Sequence, residues 1–153
     1  MPNGTENKTE SALSEFFARD HGALDGLLEC VDFADAERAL PALGEFHRRL
    51  ERHIVWEEDV LFPAVRRAAP GFIDGPIEVM RREHREIRAR KAEALELLRG
   101  GDGAGARERI GVMRSIMNEH TVKEERVLYP FCDRLLADAE AERILRLLES
   151  SPA

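Results

Sequence analysis

The sequence predicts an all-α fold: an up-down-up-down four-helix bundle with a short extra C-terminal helix. Three observations carry that expectation. Of the 153 residues, 43% are hydrophobic and 35% charged, with one Trp and one Tyr, a composition that suits helices better than strands. Apolar residues recur at three- and four-residue spacing in long segments, and those segments are separated by proline- and glycine-rich stretches. Each of the four longest segments also carries a histidine on its apolar stripe, and the four histidines fall at one depth of the expected bundle.

Residues 1–10 are polar and read as a flexible N-terminal tail. Residues 11–135 form the bundle, and residues 136–153 a C-terminal helix and tail. In the first helix Leu13, Phe17, His21, Leu24 and Leu28 share a stripe, while Gly22 and Gly26 weaken it by about 1 kcal/mol each relative to Ala. Asp32 to Asp35 loosens the pattern, and Pro41 suits the first turn of the second helix. Leu43, Phe46, Leu50, His53, Ile54, Glu57 and Leu61 then make one face, with Pro63 expected to kink this helix or prepare its end in Ala-Ala-Pro-Gly. A third helix should start near Pro76 and run through Ile77, Met80, His84, Ile87, Leu95 and Leu98. Gly100 to Gly105 reads as a turn. The fourth helix places Ile110, Met113, Ile116, Met117, His120, Glu124 and Val127 on one stripe, and Ala137 to Glu149 makes a last amphipathic segment capping an end of the bundle.

The depth of the histidines follows from the turns. In an up-down bundle, residues at one level are equally far from the turn between them. The midpoint of His53 and His84 falls in the Ala-Ala-Pro-Gly turn, that of His84 and His120 in the glycine turn, and that of His21 and His53 between Asp35 and Pro41. His47 does not belong to the set. It lies well around its helix from His53 and reads as a solvated histidine.

One stretch is spelt twice. His53-Ile-Val-Trp-Glu57-Glu58-Asp-Val-Leu61-Phe62-Pro63 matches His120-Thr-Val-Lys-Glu124-Glu125-Arg-Val-Leu128-Tyr129-Pro130 at the His, both Glu, both Val, the Leu and the Pro, with an aromatic before each Pro. His and Glu stand four apart, so on a helix an imidazole nitrogen and a carboxylate oxygen converge on one point. Burying four imidazoles and two carboxylates without partners costs several kcal/mol, a penalty that metal ions remove. His21, His53, Glu57, His84, His120 and Glu124 are therefore the candidate metal ligands. Glu58 and Glu125 sit about 100° around the helix and read as supporting or surface residues. Lys91, on the inward stripe, reads as a snorkelling side chain. Met80, Met113 and Met117 are most simply core filler, the last two lining the site's pocket together with Phe46.

Imidazoles with carboxylates suit iron, zinc, copper or nickel. Six ligands are too many for one tetrahedral zinc and suit two metals, with Glu57 and Glu124 as bridges; a di-iron centre is the first choice. Ferritin-like di-iron proteins use Glu-x-x-His and an excess of carboxylates, and no histidine here has Glu three residues before it.

The His-x-x-x-Glu order, the Glu-Glu doublets and the Leu-Phe-Pro and Leu-Tyr-Pro endings resemble the hemerythrin family, specifically its bacterial, HHE cation-binding branch, over about residues 11 to 135. The resemblance implies a bundle holding two iron ions bridged by an oxo or hydroxo group, with zinc or manganese as possible substitutes. By position His21 and His53 would ligate one iron, His84 and His120 the other, and Glu57 and Glu124 would bridge. The small-molecule ligand would be dioxygen, peroxide or nitric oxide. Oxygen-carrying members bear His-x-x-x-His on their third helix; here the earlier position is Met80, a poor donor to iron. Their last carboxylate is an Asp five residues after its His, whereas Glu124 is four after. The coordination position left open favours turnover over reversible storage of dioxygen, and so a role in oxidative or nitrosative defence. A metal- or oxygen-responsive sensor, and iron storage without turnover, are the other function classes.

The net charge of −7 argues against a nucleic-acid partner. No basic run offers a membrane a docking strip, no apolar run approaches membrane-spanning length, and the first ten residues lack a signal peptide's apolar core. The expected location is cytoplasmic, with Cys30 and Cys132 as reduced thiols.

Overall fold

A computed structural model describes residues 11–152; the N-terminal tail expected over residues 1–10 lies outside them. Among the described residues the regular structure is all helical. The helices are α1 (Ala12–Glu29), α2 (Ala36–Val55), α3 (Phe62–Ala68), α4 (Asp74–Arg99), α5 (Gly103–Lys123), α6 (Tyr129–Leu135) and α7 (Asp138–Glu149). Two π-helical segments, π1 (Trp56–Leu61) and π2 (Glu124–Leu128), join α2 to α3 and α5 to α6 without a break. The described residues therefore run as five helical stretches.

The repeated motif explains the π segments. A proline removes the N–H that would bond the carbonyl four residues back, and its ring presses on that carbonyl. Pro63 and Pro130 both follow directly on a widened turn. There the Phe62 N–H bonds to the Glu57 carbonyl and the Tyr129 N–H to that of Glu124, five residues back. The helix continues through the proline instead of ending. The extra residue in the turn advances the register. Val127, expected inward by a strict α-helical count, is 54% exposed, and Leu128 takes the buried place.

Other boundaries also differ from expectation. α2 starts at Ala36, capped by Asp35 accepting from the Arg38 N–H, so Pro41 lies inside the helix and not in its first turn. The helix is held there by its whole buried face, Ala39, Leu43, Phe46, Leu50 and Ile54. The glycine turn is shorter than expected because α5 begins within it. Asp102 caps α5 by accepting from the Gly105 N–H, and Gly101 alone takes a left-handed φ of 82°. Gly103 belongs to the helix: a Cβ there would run into the Phe33 carbonyl oxygen, so only glycine lets α5 start against that loop.

Two apolar clusters make the core. One gathers Leu24, Leu28, Leu43, Phe46, Leu50, Ile87, Met113 and Met117 toward the 100–102 turn. The other gathers Phe17, Trp56, Leu61, Phe62, Met80 and Tyr129 with Ile144 and Leu148 of α7, which packs on α1 and π1. Each fully buried Leu, Ile or Phe contributes roughly 1.5–3 kcal/mol. Four helical stretches cross from one cluster to the other, and each crosses at a histidine: His21 between Phe17 and Leu24, His53 between Leu50 and Trp56, His84 between Met80 and Ile87, and His120 between Met117 and Leu128. No described helix is long and apolar enough to cross a membrane.

Candidate metal centre

The layer between the clusters holds His21, His53, Glu57, His84, His120 and Glu124, all buried, the two carboxylates completely. Their donor atoms fall into two groups that could each hold a metal ion, one of Glu57, His84, His120 and Glu124, the other of His21, His53 and Glu124. Glu124 belongs to both. Neighbouring donors approach closely: Glu57 Oε1 is 3.2 Å from His53 Nε2 and 3.4 Å from His84 Nε2, and Glu124 Oε1 is 3.2 Å from His21 Nε2 and 3.0 Å from His120 Nε2. Two ligands each about 2.1 Å from one ion and at right angles around it stand about 3.0 Å apart, the spacing seen here.

These contacts are not hydrogen bonds. His84 Nε2, Glu57 Oε1 and both carboxylate oxygens of Glu124 are buried without a hydrogen-bond partner. Orphaned buried charges and ring nitrogens are costly, and they converge on one place, so the donor set fits cations filling the layer.

Each imidazole is held from behind. Its Nδ1–H donates to a carboxylate, which can only accept: His53 to Asp20 (2.7 Å), His84 to Glu58 (2.7 Å), His21 to Glu125 (2.9 Å) and His120 to Glu83 (2.9 Å). These bonds fix the tautomer that leaves every Nε2 lone pair facing inward, and they orient the rings. The four bonds are related by the internal repeat. An acid directly before the histidine of α1 or α4 holds the histidine of the next long helix, and the second Glu of each doublet holds a histidine of the other half. Glu58 and Glu125 thus support histidines. Asp20 and Glu83 escaped the sequence reading. Their signal was an acid directly before His21 and His84, but the helix each would reach could not be seen from spacing along its own helix.

Electrostatics follow from burial. Desolvation pushes the His53 imidazole down, but Glu57, Asp20 and Glu124 overcome it and carry its pKa up to about 10. His120 behaves alike, with Glu124, Glu57 and Glu83 taking it up to about 9. Burial pulls the Glu57 carboxyl up, yet contacts with Glu124 and the imidazoles of His53 and His84 hold it well below the usual range. Without metal, protons take the place of cations at these imidazoles.

The space enclosed by the donors is small, about 10 Å³, and apolar residues including Leu24, Leu50, Ile54, Ile87 and Met117 wall it. Met117 is the one predicted pocket residue that lines it. Phe46 and Met113 are buried farther along their helices, in the cluster toward the 100–102 turn. Met80 lies on the opposite side, beside an apolar surface groove with Phe72, Val79 and Leu128. A further polar group does reach the layer. The buried Tyr129 hydroxyl donates to Glu57 Oε2 at 3.1 Å and lies 3.3 Å from His21 Nε2 and 3.4 Å from His53 Nε2.

Residues outside the layer fall elsewhere. His47 is only partly buried, and no metal-binding group includes it. Lys91 does not snorkel: it is 1% exposed, and its Nζ donates to Glu51 Oε1 at 2.6 Å. Burial raises the Glu51 carboxyl, but Arg88 and Lys91 outweigh it and bring it to about 2. Cys30 is exposed and Cys132 buried, both free.

Fold and site together define an all-helical protein with a buried histidine–carboxylate cluster able to hold metal. The family model for the hemerythrin HHE cation-binding domain matches residues 12–132, and the chain belongs to that family. Searches of curated proteins and of solved structures returned no match.

Proposed function

We propose that this protein holds two iron ions in the histidine–carboxylate layer and, so loaded, binds or turns over dioxygen, peroxide or nitric oxide in oxidative or nitrosative defence in the cytoplasm. His21 and His53 hold one ion, His84 and His120 the other, and Glu57 and Glu124 span the two. The first four helical stretches are read as one up-down-up-down bundle, with α7 laid across its end. The observation that carries the proposal is the set of converging donors: four imidazoles pinned at Nδ1, with Nε2 facing Glu57 Oε1 and a Glu124 carboxylate, oxygens that accept no hydrogen bond.

Iron bound there supplies the redox chemistry. The chain's own groups do the rest. Asp20, Glu58, Glu83 and Glu125 keep the rings aligned, Glu57 and Glu124 neutralise the cations, and Leu24, Leu50, Ile54, Ile87 and Met117 exclude bulk water. The space between the donors is only about 10 Å³, so the layer offers no room for a bulky substrate.

The test is metal per chain on iron-loaded protein together with peroxide consumption, measured against zinc-loaded protein. Two irons per chain and iron-dependent turnover are expected. A second reading, a metal- or oxygen-responsive sensor, has one observation in its favour: the donors come from α1, α2, α4 and α5, so occupancy sets the stability of the whole fold. Stability that swings with iron while peroxide persists would select it.

A further inference from the structure

The two donor groups are unequal. One has four members, and the other, around His21 and His53, has three. Tyr129 stands beside the smaller group. Its hydroxyl oxygen is almost equidistant from His21 Nε2 and His53 Nε2, at 3.3 and 3.4 Å. Those are the separations expected between neighbouring ligands of one ion, and they match the spacings between the carboxylate oxygens and imidazoles of the same layer.

We propose that Tyr129 is itself a metal ligand, binding as phenolate the ion held by His21 and His53. The proposal rests on the reading that the layer holds metal, and it adds a donor of a different chemical kind. The ring is placed for the role. It is fully buried, stacked on Phe17 at 4.8 Å with 20° between the planes, and tilted 31° to the His21 ring, so the hydroxyl cannot swing to solvent. It stands on the first residue of α6, where the π2 turn brings it after the Glu124–Glu125 doublet. On binding, the metal–oxygen bond forms as the O–H bond breaks. The proton leaves to water, and no electron changes hands. A phenolate is a hard anionic donor, suited to the ferric state and poorly suited to soft ions. The residue related to Tyr129 by the repeat is Phe62, which offers no donor. With Glu57 and Glu124 shared between the ions, the His21–His53 ion has one more protein donor than the His84–His120 ion, which keeps the position at which a small ligand enters.

Tyr129 is the only tyrosine in the chain, so the whole unmodified protein gives a decisive readout. Ferric-loaded protein is expected to show phenolate-to-iron charge-transfer absorption in the visible, with tyrosinate modes enhanced in resonance Raman spectra excited within that band. Tyr129→Phe is expected to lose both signals while retaining at least one iron per chain. Iron bound by the unmodified protein without tyrosinate modes would overturn the assignment and leave the iron reading standing, with Tyr129 only hydrogen-bonded to Glu57. Failure of the unmodified protein to bind iron would sink both. Because the Raman signature is read on the unmodified chain, a folding defect in the variant does not obscure the result.

Discussion

In the half of the layer around His21 and His53 the imidazoles are held by Asp20 and Glu125, and a phenol hydroxyl stands at ligand spacing. In the half around His84 and His120 the holding acids are Glu58 and Glu83, and the repeat supplies Phe62 where the first half receives Tyr129. Backbone, spacing and the two π turns are common to both. The difference teaches that a duplicated scaffold can keep its means of orienting histidines and diverge at one atom that faces the layer between them.

Glu124 lies in both donor groups and Glu57 in one. Glu124→Ala is expected to have the largest effect, taking metal per chain from two toward zero, whereas Glu57→Ala retains up to one. Equal losses from the two variants, by elemental analysis, would break the asymmetry. Next in size are Asp20→Asn, expected to weaken metal binding about 10–100-fold in the first half, and Glu83→Gln, expected to do the same in the second, because each removes the group that orients an imidazole. Competition with a chelator reads both; an unchanged affinity in either would deny that half its orienting carboxylate.

A smaller effect is expected with pH in metal-free protein. His53 and His120 have folded pKa values raised to about 10 and about 9, against about 6.5 unfolded. Their stabilisation is full below about pH 6.5 and is lost as pH rises through 9 to 10. Glu57, held low, contributes above its ordinary carboxylate pKa and loses that contribution as pH falls toward its folded value. The Tm of the metal-free protein should therefore fall from pH 7 to 10, while the metal-loaded protein, with unprotonated imidazoles, escapes this loss. Parallel Tm profiles would contradict it. Smallest of all, His47→Ala should leave metal content unchanged and shift stability within about 0.5 kcal/mol, since it belongs to neither half.

That the four histidines, Glu57 and Glu124 share one buried layer was legible because they recur at helical spacing on apolar stripes, and because turn residues set their depth. What stayed hidden depends on contacts between helices or on local departures from α geometry. Val127 was read as buried because a strict α-helical count does not include the widened turn that Pro130 follows. Lys91, on the inward stripe, was read as snorkelling because Glu51, its buried-end partner, lies on another helix. Tyr129 counted only as an aromatic before proline, since nothing in its own stretch says that its hydroxyl reaches His21 and His53.

Trp56, directly before Glu57 in π1, is the only tryptophan in the chain. Its ring centroid is 6.5 Å from that of His53, Arg52 lies over it at 4.6 Å, and its Nε1–H donates to Ser151 beyond the end of α7 at 3.1 Å. The chain thus carries a native fluorophore within energy-transfer range of the metal layer. Its emission should dim as ferric iron enters and recover as iron leaves, so the filling of the centre can be followed in real time without any added label.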